Sequence, residues 1–514
     1  MKLCASMIAV AALLGSVAAV AAPDAARIVN MSGASAVKGN FANSLNTLCV
    51  AAGGTLNEWI SGGNISTYVC ANAGGLTAGA GGTYATLADT NFINFDGTAF
   101  AEVRLNVAGG SFTSLQVLAG GTDRYINPAL SGNNVAAGGV NNSTATVTAA
   151  AIVTQPGIGG FTDIIVDGYA SNVKNTVANL DDAVANSYSA NAGVAQGFGV
   201  AASGPLYSAM FTAQQASGFI PGTCLVTDTA LPQCVPSISK AEMASIMSSF
   251  NGSAAKTLGA RFLAPQLAAN TELRYARRVD TSGTHASAIN YFLGIGNMTT
   301  PLGLFADPSN RTAAGATVAT TGCNIGDLRG PAATNDEVDN PANYTQAAGN
   351  TNGQIDLCDR KQGNLRTVST PGTSDVRNEL NRLTLVNQPG NPVNYAIGVM
   401  SFENDQATFR ATGTASATTP TNWKWLRVQG ANGAENATPG GNNNRGALVA
   451  GTYDFYYELW GYVQQDVNGN NQALLDAIIG GLGANPLDGL TVIGAGPGQQ
   501  PWNRGGRTDT PSSR

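Results

Sequence analysis

The residues from Arg278 to Thr284 combine groups that proteins use to bind an anion. The guanidinium of Arg278 is planar and can donate paired hydrogen bonds to phosphate or carboxylate oxygens. Ser282 and Thr284 are typical of helix starts, and Gly283 allows a ligand to approach the backbone closely. Free N–H groups at a helix start, together with the positive end of the helix dipole, attract anions. The stretch therefore indicates an anion site, and the alternative is a capped surface helix whose arginine forms an ordinary ion pair.

Two further stretches of small residues also lie between a predicted strand and a predicted helix. Around Arg278, residues 272–277 alternate in polarity as a strand does, and residues 286–293 have a helical pattern. The same order is predicted for residues 26–48, with small residues in the turn that follows the strand, and for residues 100–118. In a parallel sheet all three turns would lie at the carboxyl ends of strands, which is where ligands bind.

The chain as a whole alternates short predicted strands with helices, which is typical of an α/β protein with mostly parallel sheets. One of these strands is predicted at residues 163–169, an apolar run that contains two aspartates. The stretches 50–94, 120–160 and 299–373 are rich in small and polar residues and are predicted to be loop-rich insertions. A chain of 514 residues is too long for one simple core, so two or more lobes are expected.

Composition and the first residues of the chain indicate an exported protein. Charged residues make up 11% of the chain, well below the roughly 25% of an average soluble domain. The formal net charge of −6 disfavours nucleic acid and anionic membrane surfaces as partners. Residues 1–21 have a positive start, an apolar centre and a small-residue cleavage site, as a secretory signal peptide does. No later segment has the length and apolarity of a membrane span, so the mature protein is expected to be soluble and periplasmic or secreted (extracellular).

Six cysteines follow the predicted signal peptide, and an even number in an exported chain favours disulfide bonds. Pairing between sequence neighbours would give Cys49–Cys70, Cys224–Cys234 and Cys323–Cys358, although six cysteines allow other pairings. A zinc site is the weaker alternative, because the sequence has no CxxC pair and one histidine.

Other chemistry receives little support from the sequence. The single histidine, His285, is interpreted as a helix-surface residue, and no nucleophile elbow accompanies it as a hydrolase would require. The Asp and His clusters that hold the metals of a phosphatase are not found in the sequence. Residues 466–470 resemble the start of a calcium loop but lack the glutamate at its twelfth position. We therefore expect a protein that is not an enzyme and has no cofactor or metal.

The order of the motifs resembles the phosphate-binding proteins of bacterial ABC phosphate transporters, which are type II periplasmic binding proteins. Residues 278–284 match the family's Arg-x-Asp-x-Ser-Gly-Thr motif at every fixed position. Residues 32–36 resemble its first small-residue loop, and residues 109–111 resemble its second. The resemblance runs in order over most of the mature chain and is interrupted by the predicted insertions.

The resemblance implies an α/β, two-lobed type II periplasmic-binding-protein fold with loop-rich insertions and a ligand cleft between the lobes. Lobe 1 would combine residues 22–190 with residues 386–496. Lobe 2 would comprise residues 191–385, including the polar insertion at about 299–373. Residues 497–514 would form a flexible tail.

The resemblance also implies a set of ligand-binding residues. These residues would surround a dehydrated oxyanion: Ser35, Ala36, Ser111, Asp167, Arg278, Ser282, Gly283 and Thr284. In the family, an aspartate at the end of the third strand accepts the proton of hydrogen phosphate and so excludes sulfate, and Asp167 is the nearest candidate for that role. The alternative for Asp167 is a strand-end acid that faces solvent. The implied function is the capture of inorganic phosphate or a similar oxyanion for ABC-type uptake, with a transporter permease as partner. The alternative is a secreted or cell-surface structural or adhesion protein that keeps this fold.

Overall fold

The structure is a computed structural model that describes residues 28–61, 64–72, 94–95, 98–99, 102–130, 136–137, 143–147, 149–169, 171–228, 231–248, 258–278, 281–294, 359–362, 364–370, 373–381, 393–405, 423–431, 448, 453–484 and 490–492. The strands are β1 (Ile28–Gly33), β2 (Gly54–Ser61), β3 (Ile65–Asn72), β4 (Asn94–Phe95), β5 (Thr98–Ala99), β6 (Glu102–Asn106), β7 (Thr122–Ile126), β8 (Ala136–Ala137), β9 (Ser143–Thr146), β10 (Ile152–Pro156), β11 (Gly159–Thr162), β12 (Ser187–Ala202), β13 (Ser237–Ile238), β14 (Leu273–Arg278), β15 (Asp359–Gln362), β16 (Leu365–Thr370), β17 (Ala396–Ser401), β18 (Lys424–Trp425), β19 (Arg427–Val428), β20 (Tyr456–Gln464) and β21 (Leu490–Val492). The helices are α1 (Lys38–Ala51), α2 (Thr113–Leu118), α3 (Ser171–Lys174), α4 (Leu180–Ala185), α5 (Gly204–Ala216), α6 (Lys240–Ser248), α7 (Gly283–Leu293), α8 (Thr373–Asn381) and α9 (Asn470–Ala484).

The chain divides into two compact units. Among the described residues, unit 1 takes those within Met1–Asn30, Leu45–Leu105 and Arg124–Gln155, and unit 2 takes those within Met31–Ser44, Asn106–Asp123 and Pro156–Arg514. Unit 2 runs through both predicted lobe boundaries, near 190 and 385, so the observed division does not coincide with them. Closure of two lobes on a ligand stays a prediction.

Unit 1 contains strands in the order β6-β3-β2-β9-β8. β2 pairs antiparallel with β3 and parallel with β9. Trp59, Val69 and Ile126 belong to its apolar core. The disulfide Cys49–Cys70, which is confirmed, joins α1 to β3. β2 and β3 lie in a stretch that was expected to be a loop-rich insertion, but their buried apolar side chains make them core strands.

Unit 2 contains a mixed sheet with the strand order β15-β16-β14-β17-β12-β20-β11-β1. β14 pairs parallel with β16 and with β17, and β1 pairs parallel with β11. β12 pairs antiparallel with β17 and β20. The α/β fold class is confirmed, while the expectation of mostly parallel sheets is wrong. β15 and β16 belong to this sheet, although residues 359–370 were expected within an insertion.

Two local predictions in unit 2 are confirmed. The disulfide Cys224–Cys234 is formed. α6 begins after a capping box, in which Ser239 N donates to Glu242 Oε2 at 2.7 Å and Glu242 N donates to Ser239 Oγ at 3.1 Å. Such reciprocal bonds satisfy two backbone donors that a helix start would otherwise leave open, which is why the pattern is visible in the sequence.

The strand predicted at residues 163–169 is wrong. β11 ends earlier, at Thr162, and Val166–Gly168 forms a 3-10 turn. Gly160 explains the error, because a Cβ atom added to it would lie 1.8 Å from a backbone oxygen of β1. The close approach of the two backbones requires a glycine in the strand, whereas a glycine in the sequence weakens a strand prediction. The chain therefore leaves the sheet just before Asp163.

Several predicted features lie outside the described residues. They are the signal peptide at 1–21, the disulfide Cys323–Cys358 and the tail at 497–514. Within the ranges that the structure describes, no helix is long and apolar enough to cross a membrane. The two disulfides that are formed fit an exported protein.

Candidate functional site

Arg278 ends β14, which lies between β16 and β17 in unit 2. Parallel pairing brings the carboxyl ends of these strands to one edge of the sheet, where ligands bind in α/β proteins. The Arg278 residue is only 6% exposed, and its Nη1 atom donates a hydrogen bond to Thr373 Oγ1 at 2.5 Å. Thr373 begins α8, the helix that follows β16. A buried guanidinium with a fixed orientation is suited to bind an anion, because a buried charge without compensation is costly.

The N-terminus of α7 supplies backbone donors next in the chain. Ser282 is the N-cap residue, with an extended backbone (φ −78°, ψ 127°), and Gly283 is the first helical residue. Ser282, Gly283 and Thr284 are all buried. The N–H groups of a first helical turn have no partner inside their own helix and lie at the positive end of its dipole. The predicted order of strand, turn and helix is confirmed at this position.

Gly283 lies directly against Ser111 and Asp163. A Cβ atom added to Gly283 would lie 2.6 Å from Ser111 Oγ and 2.6 Å from Asp163 Oδ2. Ser111 Oγ donates a hydrogen bond of 2.6 Å to the same carboxylate oxygen. The turn before α7 also contacts the Ser111 loop, because Phe112 N donates to Thr281 O at 3.1 Å. Three stretches that are distant in sequence therefore meet at one helix start.

Asp163 is a buried carboxyl group with one oxygen available to a ligand. The residue is 5% exposed, and no described residue forms a hydrogen bond with its Oδ1 atom. Burial raises the pKa of the Asp163 carboxyl, while the Ser111 hydrogen bond and the charge of Arg278 oppose that rise. A buried acceptor without a hydrogen bond is costly, so this oxygen is suited to accept a proton shared by a ligand.

Asp167, the aspartate expected from the sequence, lies elsewhere. It belongs to the 3-10 turn after β11, its side chain is 51% exposed, and its carboxylate lies 3.6 Å from Lys174 Nζ. The structure places Asp163, and not Asp167, beside Ser111 and Gly283. Asp163 directly follows β11, and this position after a strand is the signal that identifies it. The strand predicted at residues 163–169 placed Asp167 near its end and so selected the wrong aspartate.

Ser35 and Ala36 lie in a 3-10 turn directly after β1. Ala34 N donates to Phe161 O at 2.9 Å, which attaches this turn to the end of β11. Because β1 and β11 are parallel, the turn with Ser35 and the chain at Asp163 leave the sheet at the same edge. Ser35 is half-buried there.

His285 is buried, so its interpretation as a helix-surface residue is wrong. It lies in the first turn of α7 and is 4% exposed. Burial lowers the pKa of His285 well below its usual value, and the positive charges of Arg277 and Arg278 lower it further. The imidazole is therefore neutral at neutral pH and adds no positive charge to an anion site.

Metal ligation is not indicated by the described residues. No group of three His, Cys, Asp or Glu side chains within them could hold a metal ion. The two oxygens of Asp466 accept N–H groups of Asn470 at 3.0 Å and Asn471 at 2.9 Å. Asp466 therefore caps the start of α9, which accounts for the calcium-like pattern of residues 466–470.

Comparisons with known proteins give distant structural similarity alone. No protein-family model matches the chain, and no curated protein matches it in sequence. A putative phosphate ABC transporter substrate-binding protein with bound phosphate, from Clostridium perfringens, is similar over 88% of this chain and 92% of that chain, with 9% identity and a TM-score of 0.33. An ABC-type phosphate transport receptor from Vibrio cholerae is similar over 62% of this chain and 73% of that chain, with 9% identity and a TM-score of 0.24. TM-scores this low do not identify the ligand of this chain.

Proposed function

We propose that this chain is a non-catalytic binding protein for inorganic phosphate or a similar protonated oxyanion. The observation that carries the proposal is the buried carboxyl of Asp163, whose Oδ1 atom has no hydrogen-bond partner among the described residues. Its surroundings are otherwise those of an anion site, with the Arg278 guanidinium and the first turn of α7 close to it. A carboxyl among anion-binding donors fits a ligand that is both negatively charged and a hydrogen-bond donor.

Hydrogen phosphate has both properties. Its unprotonated oxygens would accept hydrogen bonds from Arg278, from the N–H groups of α7 and from the hydroxyls of Ser282 and Thr284. Its P–OH group would donate to Asp163 Oδ1. Sulfate carries no proton at neutral pH, so it would bring a second unprotonated oxyanion against a buried carboxylate. The proposed site should therefore bind phosphate with higher affinity than sulfate.

The proposal retains the transport role that the sequence motifs imply, namely capture outside the cytoplasm for ABC-type uptake through a permease. The alternative is an exported surface or adhesion protein that has lost its small ligand. Cell fractionation distinguishes the two, because a transport component should be released with the periplasm, whereas a surface protein should remain with the cells or the medium.

Calorimetric titration of the full chain with phosphate tests the proposed function. We expect saturable binding by the wild type and a loss of roughly 10- to 150-fold in affinity for Arg278→Ala, since a buried charged hydrogen-bond donor is removed. Lys240→Ala is the control, because it removes a partly exposed cation that lies 3.4 Å from Asp454 and over the ring of Tyr291, away from the N-terminal turn of α7. If millimolar phosphate produces no heat of binding and no thermal shift, phosphate binding is refuted. Equal effects of the two variants would instead refute this location of the site.

A further inference from the structure

Tyr169 lies behind the candidate site and belongs to the segment that follows β11. It is fully buried, and its ring packs against Phe112 with 5.0 Å between the ring centroids. Phe112 directly follows Ser111, so the same packing places the tyrosine beside the Ser111 loop. Asn290 of α7 donates to Gly168 O at 2.7 Å, which attaches the tyrosine's own segment to α7. Neighbours on two sides therefore hold the ring in one place.

The hydroxyl of Tyr169 is buried, and it forms no hydrogen bond of normal geometry with any described residue. Burial raises the pKa of Tyr169 well above its usual value, and the nearby Asp163 carboxylate raises it further, while the Ser111 hydroxyl opposes the rise. The hydroxyl therefore stays protonated and can donate a hydrogen bond. A buried donor of this kind is costly unless a partner arrives.

The Tyr169 hydroxyl and Asp163 Oδ1 both lack a hydrogen bond to any described residue. Both residues contact the same loop, Tyr169 through the Phe112 ring and Asp163 through Ser111 Oγ. A group between them would have to accept a hydrogen bond from the phenol and donate one to the carboxylate. A protonated tetrahedral oxyanion does both, because its unprotonated oxygens accept and its O–H group donates. A water molecule is the other group that could do so.

We propose that Tyr169 is a ligand-binding residue whose hydroxyl donates a hydrogen bond to an unprotonated oxygen of the oxyanion, while Asp163 accepts the ligand's proton. This inference rests on the proposed function. The two side chains together would orient the ligand, because they require its O–H group on one side and a bare oxygen on the other. Among the sequence motifs, nothing marks Tyr169, which was expected at the end of a strand.

Tyr169→Phe tests the proposal, with Tyr207→Phe as a matched control. Tyr207 is 1% exposed, and its hydroxyl likewise has no hydrogen-bond partner within the described ranges. The charged groups that act on its hydroxyl are Arg427 and Asp228, which lie outside the site. Both variants remove one buried oxygen and keep the ring, so they differ in location alone.

Phosphate and arsenate affinities are measured by calorimetry on the full chain, and thermal unfolding is measured without ligand. We expect Tyr169→Phe to weaken both anions about tenfold, as the loss of one hydrogen bond to a charged ligand does. Tyr207→Phe should bind as the wild type does, and neither variant should unfold at a lower temperature. Wild-type affinity in Tyr169→Phe would overturn the proposal and favour water between the two groups. Unfolding of Tyr169→Phe at a lower temperature than Tyr207→Phe would also overturn it, because the hydroxyl would then have a structural partner. If the wild type itself binds neither anion, the proposed function fails as well.

Discussion

Asp163→Asn is the substitution that separates phosphate from sulfate in the proposed site. Asparagine has nearly the same shape, and its carbonyl oxygen can still accept the 2.6 Å hydrogen bond from Ser111 Oγ. The position facing the ligand changes from a carboxylate acceptor to an amide donor. The variant should therefore fold normally, lose an acceptor for the ligand's proton and lose the negative charge that repels sulfate.

The size of the effect follows from the burial of Asp163, which is 5% exposed and little screened by water. A hydrogen bond to a charged group contributes about 1.5–3 kcal/mol, and each 1.4 kcal/mol or so is tenfold in Kd, so phosphate affinity should fall by roughly 10- to 150-fold. Two unit charges about 4 Å apart repel by about 4 kcal/mol at an effective dielectric constant near 20, and sulfate is relieved of that repulsion. The preference for phosphate over sulfate should therefore fall by at least about a hundredfold.

Competition titrations of phosphate against sulfate measure this preference, and Asp167→Asn is the control. It is the same substitution four positions along the chain, at a half-exposed carboxylate paired with Lys174. We expect Asp167→Asn to keep the wild-type preference. An unchanged preference in Asp163→Asn, or a collapse in Asp167→Asn, would refute the assignment of the acceptor to Asp163.

Three further predictions concern the same cluster. Thr373→Val removes the acceptor of the Arg278 Nη1 hydrogen bond and should lower the affinity for phosphate about tenfold. Thr373→Ser keeps the hydroxyl and should bind phosphate normally. Equal affinities of the two variants in calorimetry would contradict this prediction. Gly283→Ala places a Cβ atom 2.6 Å from two side-chain oxygens and should abolish detectable phosphate binding. Gly480→Ala is the control and should bind normally, because no described atom lies within 4 Å of its Cβ position. Phosphate binding by Gly283→Ala would contradict this prediction and show that the helix start can move. The pKa of Asp163 is raised above 3.8 in the folded state, so the folded state binds more protons than the unfolded state from 3.8 up to the raised value. The free energy of unfolding of the ligand-free wild type should therefore fall as the pH rises through that window; thermal unfolding across pH should show a smaller fall for Asp163→Asn, and identical profiles would argue against a buried titrating carboxyl.

Features that depend on neighbouring residues were predictable from the sequence. The order of strand, turn and helix around Arg278 follows from an alternating run, a helix-capping residue and a helical pattern within some twenty residues. The capping box at Ser239 and the disulfides Cys49–Cys70 and Cys224–Cys234 are also local, since each closes a short loop.

The tertiary structure alone decided which side chains meet at the start of α7. Asp163 and Ser111 are separated by 52 positions in the sequence, and Arg278 and Thr373 by 95. The local sequence pattern around these residues does not predict which partner each of them contacts. The choice of Asp163 over Asp167 depends on where β11 ends, and that end depends on the approach of two backbones at Gly160. His285 has the local pattern of a surface residue and is buried because other elements cover it. A sequence pattern records which face of an element is apolar, whereas contacts between distant elements arise only when the chain packs, and the candidate site is built from such contacts.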